Sequence, residues 1–369
     1  MNFYDLLQAR AKTFPDKIFL QVDDAAVTYR EFFHAIDTTP RGKFFSQAVS
    51  FFAAQKKNPS ETFAVMSGGS TSAPKIFRRT FASWIDFFPT QNKIFRIDET
   101  TRLFMHGDLN FTGNLNALLS VIHAGGSIIT SEKFFPRTWL ELISTATNIY
   151  LVPAKLILLA TGKPLANVRA IFTGSQVLTA SQSLSLMKKF PAAEIFLYYG
   201  ASELSFVTYK KISADNAADV NNLGKPFDGV KIFVRDGKIF VDTPYSIEGI
   251  ENPATVGDMG YINSRGELIF LGRGEDFINR GGVKIFASVV EQKLTAIDGV
   301  EAAAVVKVSD ALRGENFLAY VVGTADKKII RQTLSPAELP REIIFVESLP
   351  LTAAGKVDKK ILRRPFHQQ

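Results

Sequence analysis

The chain has 369 residues, enough for two or three domains, and its 43 Lys and Arg against 36 Asp and Glu give a formal net charge of +7. It contains no cysteine and only four histidines, which excludes disulfides, thiolate zinc sites, iron–sulfur clusters and a cysteine nucleophile. No apolar run reaches the roughly 18 residues of a membrane span, MNFYDLLQARAKTFPDK carries no signal-type block, and no Lys/Arg stripe interleaved with aromatics points to nucleic acid, so a cytoplasmic protein is expected.

In chain order, VTYREFFHAI (27–36) reads as a strand entry leading into a helix, followed by a polar, basic stretch from Thr39 to Glu61. FAVMSGGSTSAPK (63–75) then runs from a strand into a Gly/Ser/Thr loop. An apolar helix is predicted from Leu115 to His123, broken at Gly125–Gly126 and followed by a strand at SIIT. IYLVP (149–153) and VRAIFTG (168–174) are short apolar runs of the kind that form buried parallel strands. From residue 230 the period becomes two, and KIFVRDGKIFVDT places an Asp236–Gly237 turn between alternating strands. A turn at Ser264–Gly266 leads into the strand ELIFLG. Ser288 and Glu291 have capping-box spacing at the head of an amphipathic helix, and GVEAAAVVKVSD and NFLAYVVGT follow as strands. The expected fold class is therefore α/β and α+β: a large sheet-and-helix unit over 1–273 and a small α+β unit over 274–369.

Ser67-Gly-Gly-Ser-Thr-Ser-Ala-Pro-Lys75 is the first segment that suggests chemistry. Glycines let backbone N–H groups turn inward and hydroxyls add donors, so such a loop can wrap a polyphosphate. It lacks the GxxxxGK[ST] of a Walker loop, and no GxGxxG of the dinucleotide type occurs. Alone, it is equally a flexible connection. Four further segments accompany it in order: Tyr199-Gly-Ala-Ser-Glu203, Gly257-Asp258, GRGEDFINRGGVKIFASVVE (272–291) and LPLTAAGKVDKKIL (349–362).

Together these five segments resemble the adenylate-forming superfamily of acyl-CoA synthetases, nonribosomal adenylation domains and luciferases. The flavour is that of the acyl- or aryl-CoA ligases, o-succinylbenzoate–CoA ligase among them, where Thr80-Phe81 likewise follows the Pro-Lys of the loop. The resemblance implies ATP- and Mg²⁺-dependent activation of an organic carboxylic acid as acyl-AMP, then transfer to the pantetheine thiol of coenzyme A or an acyl carrier protein. The chemistry is demanding because an anion must approach a polyanion, so the site needs cations and preorganised donors.

The resemblance assigns Ser70, Thr71 and Ser72 to the β- and γ-phosphates, with Lys75 beside them. It gives Ser202 to the α-phosphate, Glu203 to Mg²⁺ and Asp258 to the ribose hydroxyls. Gly174, Ser175, Tyr199, Gly200 and Arg273 join the ATP/AMP site. Lys356 matches the lysine that bridges the substrate carboxylate and the α-phosphate, and His106 matches a gate near that carboxylate. Glu275 matches the hinge about which the small domain swings. Gly281 and Gly282 match the loop lining the pantetheine tunnel, although a plain turn accounts for them equally. Capping-box geometry accounts for Glu291 without a catalytic role. Phe104-Met105-His106 stands where amino-acid-activating relatives carry a Phe-Asp pair. The charge of +7 suits either a solvated basic surface or these anionic partners, and a homodimer is left open.

The sequence departs from the family at Gly68, where Ser is usual, and at Ser72, where Gly is usual. It is also short between His34 and Thr62, where relatives carry more of a first subdomain. A rival reading follows from that shortening: a degenerate, non-catalytic relative that binds nucleotide or acyl groups as a sensor or scaffold.

Overall fold

A computed structural model describes residues 2–37, 42–67, 75–274, 277–350 and 357–363. Ser70, Thr71, Ser72, Glu275 and Lys356 lie outside the described residues. The chain opens with helix α1 (Phe3–Thr13), the hairpin β1 (Ile18–Val22) and β2 (Ala25–Thr28), and helices α2 (Tyr29–Ala35) and α3 (Lys43–Lys57). A second hairpin, β3 (Thr62–Met66) and β4 (Ile76–Thr80), flanks the Ser/Gly loop and precedes α4 (Ala82–Ile85) and α5 (Phe88–Ile94). Alternation follows: β5 (Arg102–Met105), α6 (Thr112–Ala124), β6 (Ser127–Thr130), α7 (Pro136–Ile143), β7 (Asn148–Tyr150), α8 (Pro153–Leu156), β8 (Ala170–Gly174), α9 (Ala180–Lys189), β9 (Glu194–Ala201), β10 (Ser205–Ile212) and β11 (Lys225–Pro226).

Among the described residues, eleven minus the β3–β4 pair leaves nine strands in one sheet, ordered β11-β10-β9-β8-β7-β5-β6-β1-β2. The run from β9 to β1 is parallel. Its inner strands are buried on both faces, which is why SIIT, NIY and AIFTG are continuously apolar or hydrogen-bonded rather than alternating. Because β1, β5, β6, β7, β8 and β9 point the same way, their carboxyl ends form one rim, the usual ligand edge of such sheets. In order along that rim stand Ser202–Glu203 after β9, Gly174–Ser175 after β8, Lys155 beyond β7, His106 after β5 and Phe134 beyond β6.

A four-stranded antiparallel sheet follows: β12 (Lys231–Arg235), β13 (Lys238–Asp242), β14 (Asp258–Ile262) and β15 (Leu268–Arg273). The Asp236–Gly237 turn has positive φ at both residues, 51° and 75°, as a two-residue hairpin requires. Beyond it lie β16 (Phe277–Arg280), β17 (Val283–Phe286), α10 (Ala287–Thr295), β18 (Val300–Asp310), β19 (Gly314–Gly323), α11 (Lys327–Thr333), β20 (Glu342–Phe345) and α12 (Lys359–Leu362). Their strands make a separate sheet, with β20 parallel to β19. The large core runs from Phe3 to Leu268, and a second one runs from Ile278 to Ile343. The fold is thus a large sheet-and-helix domain followed by a small α+β domain.

Two expectations are corrected. The stretch from Thr39 to Glu61 is not merely polar and basic: it contains α3, a helix of about four turns burying Phe44, Ala48, Val49 and Phe52. Its apolar residues recur at helical spacing between exposed lysines at its two ends, Lys43 and Lys56–Lys57. The second correction is the capping box at Ser288. Helix α10 begins at Ala287, with Phe286 at the cap position and no side-chain cap. The Ser288 hydroxyl instead donates to the Leu271 carbonyl, tying the small domain to β15. Glu291 accepts from the Val305 N–H at 2.7 Å and pairs with Lys359 at 2.6 Å, so it fastens α10 to β18 and to α12.

Candidate functional site

The Ser/Gly loop is held at its neck. Ser67 N–H donates to the Lys75 carbonyl at 2.9 Å, and Lys75 N–H donates to the Ser67 hydroxyl at 3.1 Å. Both strands that enter and leave the loop are tied to one residue, Ser202. On the β3 side, the Met66 carbonyl accepts from the Thr112 hydroxyl at 2.9 Å, and Thr112 Oγ1 lies 2.9 Å from Ser202 Oγ, which can donate back. On the β4 side, Arg79 donates to the Ser202 carbonyl at 3.1 Å and to the Tyr245 carbonyl at 2.7 Å. Residue 202 therefore stands between the two flanks of the loop, with Glu203 next to it.

Arg79 is fully buried, stacks on Trp84 at 5.3 Å and makes no ion pair within 4 Å among the described residues. Burial pushes its guanidinium down to about 9, and only the charge of Glu203 works against that fall. Alternation along β4 explains the position: Arg78 faces solvent and Arg79 faces in. Glycine is needed at two close approaches in the same region. A Cβ at Gly200 would sit 2.3 Å from the Ser205 carbonyl oxygen, and one at Gly174 would sit 2.5 Å from the Tyr198 ring. Ser175, next along the β8 end, has φ 69°.

A second cluster joins the nine-stranded sheet to the four-stranded antiparallel one. Tyr199 donates its hydroxyl to Asp258 Oδ2 at 2.7 Å, and Arg273 Nε lies 3.9 Å from Asp258 Oδ1. Register places Asp258 directly opposite Arg273 on β14 and β15. Burial pushes the Asp258 carboxyl up, against the Tyr199 hydrogen bond and the charge of Arg273. Burial, together with the adjoining Asp258 carboxylate, raises the Tyr199 phenol well above its ordinary value. The pair is a carboxylate with one oxygen committed and the other turned toward a cation.

Farther along the rim, His106 packs against the buried Trp139 with ring centroids 4.5 Å apart, and Phe134 lies edge-on at 5.9 Å. The Lys155 ammonium donates to the His106 carbonyl and to its Nδ1, each at 3.0 Å. A ring nitrogen that accepts from an ammonium is unprotonated, and burial with the Lys155 charge pushes His106 down to about 4. Gly281 and Gly282 form the β16–β17 turn, with φ 59° and 92° and open space on the Cβ side. Here the turn alone accounts for both glycines.

Thr112, Arg79 and Lys155 were not singled out by sequence. Nothing distinguishes Arg79 from Arg78 until β4 is paired with β3. Lys155 carried a faint signal, a lysine two residues past the apolar run IYLVP.

The AMP-binding enzyme family model matches residues 43–269, and the AMP-binding enzyme C-terminal domain model matches residues 289–356. This chain belongs to the AMP-binding enzyme family. It is 32% identical over 326 residues to the uncharacterized acyl–CoA ligase YhfT of Bacillus subtilis (strain 168), covering 81% of this chain and 67% of that one. It is 27% identical over 360 residues to enterobactin synthase component E of Escherichia coli (strain K12), covering 86% and 67%. In fold it is similar to o-succinylbenzoate CoA synthetase (MenE) from Bacillus subtilis in complex with the acyl-adenylate OSB-AMP, with TM-score 0.80 and 19% identity over 97% of each chain. The amide bond synthetase McbA from Marinactinospora thermotolerans shares the fold at TM-score 0.81 and 18% identity, over 99% of this chain and 100% of that one.

Two outcomes follow from this geometry. Arg79→Met keeps side-chain bulk but leaves the Ser202 and Tyr245 carbonyls without their donor, so unfolding free energy in urea should fall by about 3 kcal/mol. A loss under about 1 kcal/mol would mean the guanidinium clamp contributes little. Second, His106 folds neutral while the unfolded chain protonates near the ordinary histidine value of about 6.5. The unfolded state then binds the extra proton, so the contribution of His106 is present above pH 6.5 and is lost as pH falls toward 4. The difference in melting temperature between wild type and His106→Phe should change across that window and be level above it.

Proposed function

We propose that this member of the AMP-binding enzyme family activates an organic carboxylic acid with ATP. A carboxylate oxygen attacks the α-phosphorus, the bond to the β-phosphate oxygen breaks, and pyrophosphate leaves from an acyl-AMP. A pantetheine thiol, of coenzyme A or a carrier protein, then attacks the acyl carbon; AMP departs and the thiol proton passes to solvent. The observation that carries this reading is the double tether of Ser202 to both flanks of the Ser/Gly loop. That arrangement sets a hydroxyl and the Glu203 carboxylate at the point where a polyphosphate leaving the loop reaches the carboxyl rim.

In this reading Ser70, Thr71, Ser72 and Lys75 hold the β- and γ-phosphates and Ser202 holds the α-phosphate. Asp258 accepts the ribose hydroxyls beside Arg273, while Tyr199, Gly200, Gly174 and Ser175 shape the nucleoside side of the site. The donor set suits Mg²⁺ at Glu203: no group of three or more metal-ligating His, Cys, Asp or Glu occurs among the described residues, and Mg²⁺ bound through phosphates needs only one or two carboxylates. When bound, the ion neutralises the charge that builds on the phosphates. Lys356 brings the substrate carboxylate against the α-phosphate, Glu275 is the hinge between domains 1–273 and 274–369, and Gly281 and Gly282 border the thiol path. Helix α3 stands in the stretch where the longer relatives carry additional chain.

No helix of the described residues is long and apolar enough to cross a membrane. A cytoplasmic enzyme acting on diffusible acids is the simplest setting.

Exchange of labelled pyrophosphate into ATP, screened over short, medium-chain, aryl and amino acids, should identify at least one active acid. Lys356→Ala should lower that exchange by at least about 100-fold, yet still form thioester from preformed acyl-AMP. Silence across the panel would favour the non-catalytic reading, and equal loss of both half-reactions would remove Lys356 from its assigned role.

A further inference from the structure

Lys155 is the cation on the carboxyl rim that the adenylation scheme does not use. It lies in α8, just beyond β7, and is half-buried. Its ammonium makes no ion pair with any Asp or Glu among the described residues. Two of its three protons go to His106, one to the carbonyl and one to Nδ1, both at 3.0 Å. The third N–H has no acceptor among the described residues. The walls beside it are aromatic: Phe134 lies 6.0 Å from the ammonium, and Trp139 backs the His106 ring. Asp23, at the end of β1, is the acidic group whose charge reaches His106, yet it does not pair with Lys155.

A half-buried ammonium is costly unless a charge meets it, and here burial alone lowers its proton affinity. A structural lysine elsewhere in the chain is treated differently: Lys210 is capped by the Asn216 and Asp219 carbonyls. Lys155 instead sits two strands along the rim from Ser202, where the reactive carboxylate is placed by the reading above. Neighbouring strands are spaced by about 4.8 Å, so the ends of β7 and β9 are about 10 Å apart.

We propose that Lys155, braced by His106, is a specificity-determining residue that takes a second carboxylate at the far end of the acid, making dicarboxylic acids the preferred substrate class. This rests on the adenylation reading. The neutral His106 ring holds the ammonium by accepting from it, which leaves the third N–H for an incoming anion. A monocarboxylic acid of equal length leaves that ammonium desolvated and unpaired, and this is the element that works against the wrong substrate.

The test is pyrophosphate exchange with matched pairs: adipate against hexanoate, suberate against octanoate, and terephthalate against benzoate. The expected result is a kcat/KM at least about tenfold higher for one diacid than for its monoacid partner, carried mainly by KM. In Lys155→Met that ratio should collapse toward one, while Lys155→Arg, which keeps the charge, should retain most of it. Melting curves of the three proteins establish that each is folded. A wild type that prefers the monoacids, or a ratio unmoved in folded Lys155→Met, overturns the inference and leaves Lys155 a cap on the His106 carbonyl. No exchange with any acid is a separate result, which overturns the adenylation reading and this inference with it.

Discussion

A buried guanidinium organises this molecule. Arg79 has no carboxylate within ion-pair distance among the described residues, and its burial is tolerated because its N–H groups reach two carbonyls and the Ser83 hydroxyl. The two carbonyls, of Ser202 and Tyr245, belong to chain segments far from Arg79 in sequence. The guanidinium therefore fixes β4 against the end of β9 and against the segment that follows β13. Thr112 does the same for β3 from the opposite side. The loop between β3 and β4 inherits a fixed base, and Ser202 inherits a fixed place beside it. If charge in the transition state is to be stabilised without reorganisation, its donors have to be held by something that does not move.

The parallel sheet supplies the rest of the geometry. Its carboxyl rim spaces side chains by strand position: Ser202 and Glu203 at β9, the tight glycine approach at β8, and the Lys155–His106 pair at β7 and β5. Elements with no chemistry of their own hold this rim. Helix α3 packs Phe44, Val49 and Phe52 into the large core, its Gln47 accepts from the Leu109 N–H at 3.1 Å, and Lys43 pairs with Asp108 at 3.1 Å. Glu132, beyond β6, accepts from the Phe44 N–H at 2.9 Å. One end of α3 is thus bonded to two rim loops, those after β5 and β6.

Much of the fold was legible because its signals are local. Apolar runs marked β6, β7 and β8, Asp-Gly marked the β12–β13 turn, and the switch to period two marked the antiparallel sheet. The motif segments, by residue type and order, pointed to the family whose models match residues 43–269 and 289–356. What could not be read depends on pairing across the chain. Arg78 and Arg79 are indistinguishable until the β3–β4 register turns one inward. Thr112 looks like an ordinary first helical residue until Ser202 is brought to it. Spacing at Ser288 and Glu291 suggested a cap, but both side chains found stronger partners outside the helix: a carbonyl of β15, an N–H of β18 and the Lys359 ammonium. Helix α3 was hidden by its lysines, which mask an apolar stripe unless the residues are placed on a helix.

The most direct test of the account follows one oxygen atom. If a carboxylate oxygen attacks the α-phosphorus, an acid labelled with heavy oxygen in its carboxylate should deliver one labelled oxygen to AMP when the thioester forms, as read by mass spectrometry. Label recovered in AMP alone is the predicted result. Label in inorganic phosphate, or thioester formed with release of ADP, would contradict it and require a different activated intermediate.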